Sequence, residues 1–139
     1  GYIGSVLTKY LLDNKKKVVI FDKFIYGSTD IYKFKKNKNL KIISGDTRHI
    51  EDLTRAFKGI DVVVHLAELV GDPLCDIDHE KTYEINYLAT DLITNLCKSF
   101  LVKRYIYISS CSVYGENKNS ECLDEKSKIN PYLLIIHIY

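Results

Sequence analysis

The sequence lacks the features that mark several classes of protein. No apolar run among its 139 residues approaches the ~20 residues of a membrane-spanning helix, which argues against a membrane protein. It has neither a starting methionine nor a basic and then apolar leader, so nothing marks a secretory signal peptide. The basic stretch from Lys33 to Lys41 has no aromatic platform or known binding motif beside it, so we expect no nucleic-acid partner. These absences favour a cytoplasmic protein.

Cysteine is sparse and irregularly spaced. The four cysteines form no C-x-x-C pair and no zinc-type spacing, so we expect neither a metal site nor a disulfide framework. We expect them to be reduced thiols: Cys75, Cys97, Cys111 and Cys122.

The sequence does contain a regular alternation of apolar segments. Apolar residues at helical spacing predict helices over 4–14, 51–57 and 79–99, and continuous apolar runs predict strands over 18–22, 40–44, 62–66 and 105–109. The strand before Asp22 should be buried on both faces. The alternation predicts an α/β fold, a Rossmann-like doubly wound parallel sheet, in one domain over residues 1–139. The first helix should have one apolar stripe, formed by Val6, Leu7, Tyr10 and Leu11.

The first helix is preceded by half of a phosphate-binding turn, Gly1-Tyr2-Ile3-Gly4. In a dinucleotide-binding βαβ unit, such glycines let the backbone approach a pyrophosphate, and the helix N-terminus supplies free N–H groups and a positive dipole. The first strand and the first glycine of that motif are absent from this sequence. We therefore expect part of a cofactor-binding domain whose sheet lacks its first strand.

Two acidic residues stand at predicted strand ends, where ligands of such sheets bind. Asp22 follows Gly4 by eighteen residues, near the spacing of an acid that binds the adenosine ribose. Its charge would repel a 2′-phosphate and so favours NAD over NADP, although the neighbouring Lys23 could tolerate phosphate. Asp46, in Gly45-Asp46-Thr47-Arg48, could bind the adenine amino group or cap a helix, and the pattern does not decide between them.

The order of the motifs resembles that of the extended short-chain dehydrogenase/reductases, in particular their NAD-dependent nucleotide-sugar epimerase/dehydratase branch. The matching pieces cover nearly all of the chain to Pro131: Gly1-Tyr2-Ile3-Gly4, Asp22 with Tyr26-Gly27-Ser28, Gly45-Asp46-Thr47-Arg48, His65-Leu66-Ala67, Glu84-Ile85-Asn86, and Ser109 to Gly115. Glu68 departs from the pattern, because the family usually has a small residue there.

The resemblance implies roles for individual residues. Ser110 matches the catalytic Ser/Thr that binds the reacting sugar hydroxyl. The resemblance also implies an NAD cofactor and these cofactor contacts: Gly1, Tyr2, Ile3 and Gly4 along the pyrophosphate, Asp22 at the ribose, Asp46 and Thr47 at the adenine, Leu66 and Ala67 beneath the cofactor, Asn86 behind the nicotinamide half, and Ser109 near the nicotinamide ribose.

The catalytic base of the resembling family is missing from this sequence. The family uses a Tyr with a Lys four residues later, but those positions hold Ile135 and Tyr139, or Tyr132 and Ile136 in an alternative alignment. We expect the chain as given to be inactive. Two explanations stand open: a frame shift after Pro131, or a degenerate relative that binds cofactor without turnover.

The resemblance also bears on the reaction and the partners. Family dehydratases have an Asp-Glu pair after the catalytic Ser/Thr, and this chain has Cys111 and Ser112, so an epimerase acting by transient hydride transfer to NAD is favoured. A nucleotide-sugar reductase or decarboxylase and a non-catalytic NAD-binding regulatory domain are the alternatives. The resemblance implies a nucleotide-sugar substrate, a C-terminal substrate-binding part absent here, and a homodimer through the helix at 79–99.

Overall fold

The computed structural model describes residues 1–27, 29–69, 78–115 and 122–131. Ser28, Cys75 and the segment 132–139, which includes both alignments of the catalytic pair, lie outside the described residues. The helices are α1 (Tyr2–Asp13), α2 (Thr29–Tyr32), α3 (Ile50–Phe57), α4 (His79–Tyr83) and α5 (Ala89–Ser99), and the strands are β1 (Val18–Asp22), β2 (Leu40–Ser44), β3 (Val62–His65) and β4 (Arg104–Tyr107). A π-helical turn, Glu84–Leu88, joins α4 to α5, and a 3-10 turn, Cys111–Tyr114, follows β4.

The four strands form two parallel pairs. Strand β1 pairs with β2 from Val18 opposite Leu40 to Asp22 opposite Ser44. Strand β3 pairs with β4, and its last residue, His65, lies opposite Tyr107. Within the described ranges the two pairs are separate, and α1 opens the sequence with no strand before it. This arrangement confirms the predicted α/β fold with parallel strands.

The strands are less buried than their apolar sequences predict. All five residues of β1 are half-buried, and Val62 at the start of β3 is 49% exposed. Since β1 and β3 are each paired along one edge among the described residues, part of their surface stays open to solvent. The apolar stripe predicted for α1 is also wrong, because Val6 and Tyr10 are 56% and 65% exposed while α1 buries Thr8 and Leu12.

A small apolar core connects the two strand pairs. It is built from α3 and α5, through Leu53, Phe57, Ile93, Leu96 and Cys97. Phe21 of β1 and Val63 of β3 both pack against this core, so one helical layer covers residues of both pairs. Burying each large aliphatic side chain stabilises the fold by about 1.5–3 kcal/mol. The core therefore holds the two strand pairs relative to one another.

The predicted long helix at 79–99 is present but changes its winding. The side chain of Asp78 caps α4 by accepting a hydrogen bond of 2.9 Å from the backbone N–H of Lys81. The wider π turn then precedes α5 and buries Asn86, which is 1% exposed. Within the described part of the chain, no helix has the length and apolar character needed to cross a membrane.

Candidate cofactor-binding site

The N-terminus of α1 is open to an anion. Gly1 is its N-cap, no side chain caps it and its first turn contains no acidic residue, so the first N–H groups, at the positive end of the helix dipole, have no side-chain acceptor within the helix. A Cβ built on Gly1 meets no atom within 4 Å, so protein packing does not require glycine here. Tyr2 and Ile3 are 86% and 59% exposed on the same first turn. These properties fit a pyrophosphate that approaches the backbone closely.

Asp22 lies beside that helix end. Its Oδ1 accepts a hydrogen bond of 2.7 Å from the backbone N–H of Phe24, which fixes the carboxylate against the loop after β1. Its Oδ2 is 3.9 Å from the nitrogen of Gly1, and the side chain is 40% exposed. One carboxylate oxygen is therefore bound to the loop after β1, and the other lies beside the terminal ammonium of Gly1 at the start of α1. The fold thus brings together Gly1 at the start of α1 and Asp22 at the end of β1, which are twenty-one positions apart in the sequence.

Gly45 fixes the distance between the ends of β1 and β2. Its N–H donates to the carbonyl oxygen of Asp22 over 3.2 Å. A Cβ at Gly45 would lie 2.6 and 2.7 Å from ring carbons of Phe21 and 2.9 Å from the Cβ of Asp52, so no other residue fits without a shift. Glycine at this position therefore has a packing reason, unlike Gly1.

Asp46 is buried and surrounded by donors. It is 8% exposed. Its Oδ1 accepts from the backbone N–H and the Nε of Arg48, both at 3.1 Å, and its Oδ2 accepts from Arg48 Nη2 at 2.8 Å and from Lys23 Nζ at 2.7 Å. The hydrogen bonds from Arg48 are the main reason that the pKa of the Asp46 carboxyl lies far below its usual value, so this group is ionised. Thr47 is half-buried in the same turn.

Arg48 links the end of β2 to the π turn. Its Nη1 donates to Glu84 Oε2 over 2.6 Å, while the edge of the guanidinium formed by Nε and Nη2 donates to Asp46. These two carboxylates raise the pKa of Arg48 above its already high value. The side chain is 28% exposed and is held on both sides, so it is a fixed element of the site.

The loop after β3 is held from two directions. Leu66 approaches α1, since a Cβ built on Gly4 would lie 3.7 Å from Leu66 Cδ1, an ordinary contact. Asn86 holds the other end of the loop: its Nδ2 donates to the carbonyl of Leu69 over 2.8 Å and its Oδ1 accepts from the N–H of Leu69 over 2.9 Å. Ala67 lies half-buried between these two points. Asn86 therefore acts on this loop and does not itself face the open side.

Ser109 and Ser110 follow β4 and are both exposed. Ser110 caps the 3-10 turn, because its Oγ accepts from the backbone N–H of Ser112 over 3.2 Å and donates to the Ser112 Oγ over 3.0 Å. The turn ends at Gly115, whose φ is +71°, and a Cβ there would lie 2.0 Å from the carbonyl oxygen of Asn130. Only glycine lets the segment around Asn130 pack against the end of this turn.

Sequence reasoning missed a polar cluster beneath the ends of β3 and β4. His65 is 4% exposed, and its Nδ1 lies 2.7 Å from the hydroxyl of Tyr105. Burial lowers the pKa of His65 and raises that of Tyr105. Tyr107 donates a hydrogen bond to Glu68. Two signals were available in the sequence. Glu68 departs from the family pattern, and Tyr105 and Tyr107 alternate along β4, so both lie on the same face of that strand.

The described residues contain no group of three or more His, Cys, Asp or Glu side chains placed to hold a metal ion. The described cysteines, Cys97, Cys111 and Cys122, are free thiols.

A sequence model of the NAD dependent epimerase/dehydratase family matches residues 1–134. The chain belongs to this family. One relative, the dTDP-D-glucose 4,6-dehydratase of Dictyostelium discoideum, is 33% identical over 147 residues, an alignment that covers 94% of this chain and 34% of that protein.

Solved structures of epimerases have the same fold. The UDP-glucuronic acid 4-epimerase of Bacillus cereus, in complex with UDP-glucuronic acid and NAD, superposes with a TM-score of 0.88 at 29% identity, over 99% of this chain and 46% of that one. The UDP-N-acetylglucosamine 4-epimerase of Methanobrevibacter ruminantium, in complex with UDP-N-acetylmuramic acid, gives 0.87 at 31%, over 99% and 43%. The chain thus spans between about a third and a half of the length of these family members.

Proposed function

We propose that residues 1–139 form the NAD-binding domain of a cytoplasmic nucleotide-sugar epimerase. The observation that carries the proposal is the proximity of the N-terminus of α1, which no side chain caps, to the partly exposed carboxylate of Asp22, whose Oδ2 is 3.9 Å from the nitrogen of Gly1. A dinucleotide presents the two groups that these features bind, a pyrophosphate and a vicinal ribose diol. Membership of an NAD-dependent family and a close superposition on a structure that contains NAD support the same reading.

The remaining residues fit the rest of the cofactor. In this proposal Gly1, Tyr2, Ile3 and Gly4 line the pyrophosphate through the backbone of the first turn. Asp46 and Thr47 bind the adenine at the end of β2. Leu66 and Ala67 pass beneath the cofactor, and Asn86 holds their loop through Leu69. Ser109, exposed after β4, approaches the nicotinamide ribose.

Ser110 is the catalytic residue in this proposal. NAD, when bound, supplies the hydride acceptor. Ser110 orients the sugar hydroxyl, and its own hydroxyl is already directed by Ser112. A competent active site also needs a base for the hydroxyl proton, and no lysine follows Lys128 in the sequence. The chain as given is therefore proposed to bind NAD without turnover.

An epimerase is favoured over a dehydratase by two side chains. Water loss needs an acid and a base next to the catalytic Ser/Thr, and here the following residues are Cys111 and Ser112, which cannot replace carboxyl groups in that role. The relative from Dictyostelium is a dehydratase, so sequence similarity alone does not distinguish epimerisation from dehydration. The argument for epimerisation rests on these residues.

The test of the cofactor site is the Asp22→Asn variant of the full chain. Titration calorimetry should show that the wild type binds NAD more tightly than NADP, because the carboxylate accepts from the ribose diol and repels a 2′-phosphate. Asp22→Asn should lower NAD affinity about tenfold or more, the equivalent of one charge-assisted hydrogen bond, and bring the two affinities together. Asp13→Asn, which loses the same charge from an exposed pair with Lys9, is the matched control. Equal binding of NAD and NADP by the wild type would overturn the role of Asp22.

A second candidate is a non-catalytic NAD-binding regulatory domain, favoured by the absent Tyr and Lys. The double variant Ile135→Tyr with Tyr139→Lys distinguishes the enzyme from the regulatory domain. The assay follows the reduction of NAD at 340 nm in the presence of UDP-sugars. Sugar oxidation after this change would support the enzyme. NAD binding in a full-length parent with both residues restored, but without oxidation, would support the regulatory domain.

The proposal also includes a homodimer through residues 79–99. Three apolar side chains of this helical run are exposed: Tyr83 at 47%, Tyr87 at 41% and Leu88 at 49%. The rings of Tyr83 and Tyr87 contact each other at a tilt of 32°, with their centroids 5.1 Å apart, so they present one continuous apolar surface. Sedimentation of the chain over a range of concentrations distinguishes a dimer from a monomer.

A further inference from the structure

The carboxylate proposed to bind adenine has no free acceptor position in this structure. A carboxylate offers about four lone-pair positions. Asp46 uses all of them: two donors bind Oδ1 and two bind Oδ2, at distances from 2.7 to 3.1 Å. An exocyclic adenine amino group therefore cannot reach Asp46 until one of these donors leaves.

The donors differ in how firmly they are held. Arg48 contributes three of them, including a backbone N–H, and its guanidinium is also bound by Glu84. Lys23 contributes one, through a single bond of 2.7 Å, and its side chain is 50% exposed. Its ammonium can be solvated as soon as it leaves, whereas Arg48 would leave a second carboxylate unpaired. Lys23 is the donor that can be displaced.

We infer that Lys23 competes with the adenine amino group for Asp46 and so weakens recognition of adenine by this chain. Lys23 follows Asp22 directly, so the same residue joins the proposed ribose and adenine contacts. Binding of adenine breaks the Lys23–Asp46 ion pair and releases the ammonium next to the ribose. This inference rests on the proposed adenine contact of Asp46, and the experiment below separates the two.

The test compares two neutral ligands that differ only in the group at issue. Adenosine has the 6-amino group and purine riboside does not, and neither has a phosphate that a lysine could attract. Binding to the full chain is followed by NMR titration of the labelled protein. Lys23→Gln should bind adenosine about 1.5- to 5-fold more tightly, the range expected for removing a partly exposed ion pair. Its affinity for purine riboside should stay unchanged.

Two lysine variants serve as controls. Lys23→Arg keeps a cation beside Asp46 and should bind adenosine as the wild type does. Lys103→Gln removes the same charge from an ion pair of the same length, 2.7 Å to Asp61, at the opposite end of the strands. It should change the affinity for neither ligand. Because Lys23 is half exposed, its replacement should keep the native spectrum, which circular dichroism checks.

The Asp46→Asn variant distinguishes the two ways of failing. If it loses preference for adenosine while Lys23→Gln binds adenosine as the wild type does, the competition by Lys23 is refuted and the adenine contact stands. If neither the wild type nor Asp46→Asn distinguishes adenosine from purine riboside, the adenine contact itself is wrong, and the role of Lys23 fails with it.

Discussion

Replacing Gly45 with alanine tests how the site is joined to the core. The added Cβ would lie 2.6 and 2.7 Å from the ring of Phe21 and 2.9 Å from the Cβ of Asp52. Neither neighbour is the free end of a flexible chain, since Phe21 packs against the core and the contact on Asp52 is its Cβ on α3. The backbone at residue 45 must therefore move, and overpacking of this kind costs about 1–3 kcal/mol of unfolding free energy.

The same movement should weaken cofactor binding. The N–H of Gly45 holds the carbonyl of Asp22, and the next residue is Asp46, so a shift displaces both proposed adenosine contacts. We expect NAD affinity to fall about tenfold, ~1.4 kcal/mol, the equivalent of roughly one charge-assisted hydrogen bond. Urea denaturation measures the loss of stability, and titration calorimetry at a temperature where the variant is folded measures the affinity.

A second glycine supplies the control. Gly59 has a φ of +73° and a Cβ there would meet nothing within 4 Å, so Gly59→Ala should cost roughly 1–2 kcal/mol through its left-handed backbone alone. It lies between α3 and β3, at the opposite end of the strands from the site. Only Gly45→Ala should lose NAD affinity. If Gly45→Ala is as stable as the wild type, the packing argument is refuted; if both variants bind NAD equally well, the placement of the site is refuted.

Two further predictions concern buried polar residues. Asn86→Ala should lower the unfolding free energy by about 1–3 kcal/mol, because it removes both hydrogen bonds between the buried Asn86 amide and the backbone of Leu69, and it should weaken NAD binding. The exposed Asn95→Ala should change stability by less than about 0.5 kcal/mol, and equal urea midpoints for the two variants would refute the role of Asn86 in holding this loop. His65, whose pKa is lowered by burial, binds its proton less tightly when folded than when unfolded. Stability should therefore be unaffected by His65 above pH ~6.5 and fall below it, by at most about 1.4 kcal/mol at pH 5.5. Urea midpoints between pH 7.5 and 5.5 should show this slope in the wild type and less of it in His65→Phe.

Element types were predictable because their apolar patterns are strong. Strand β2 begins and ends at the predicted residues, Leu40 and Ser44. Strand β4 ends at Tyr107, two residues before the predicted end, because its partner β3 ends at His65 and offers nothing further to pair with. The length of a strand thus depends on the strand that it pairs with, and the local sequence does not show where that partner ends.

The helix at 79–99 shows a different limit of apolar patterns. Apolar residues at helical spacing should face inward, yet Leu88 is 49% exposed and the polar Asn86 is 1% exposed. Asn86 can be buried because its amide binds both backbone groups of Leu69, and buried Thr82 similarly donates to the carbonyl of Asp78 over 2.8 Å. A hydropathy pattern counts polar side chains as exposed and cannot detect partners that satisfy them. The π turn, which changes which residues face inward, adds to the same error.

Asp46 shows that a candidate site residue can be located from the sequence while the donors already bound to it cannot. Its place after a predicted strand was enough to put a carboxylate at the carboxyl end of the sheet, beside the proposed ribose acid. Whether such a carboxylate can accept from a ligand depends on the donors already bound to it, and one of these, Lys23, is twenty-three residues away in the sequence. Spacing motifs record which residues meet a ligand and not which residues compete with it. If Asp46 binds adenine as proposed, the affinity of the site for adenine should depend both on Asp46, which the motif identifies, and on Lys23, which only the folded arrangement connects to it.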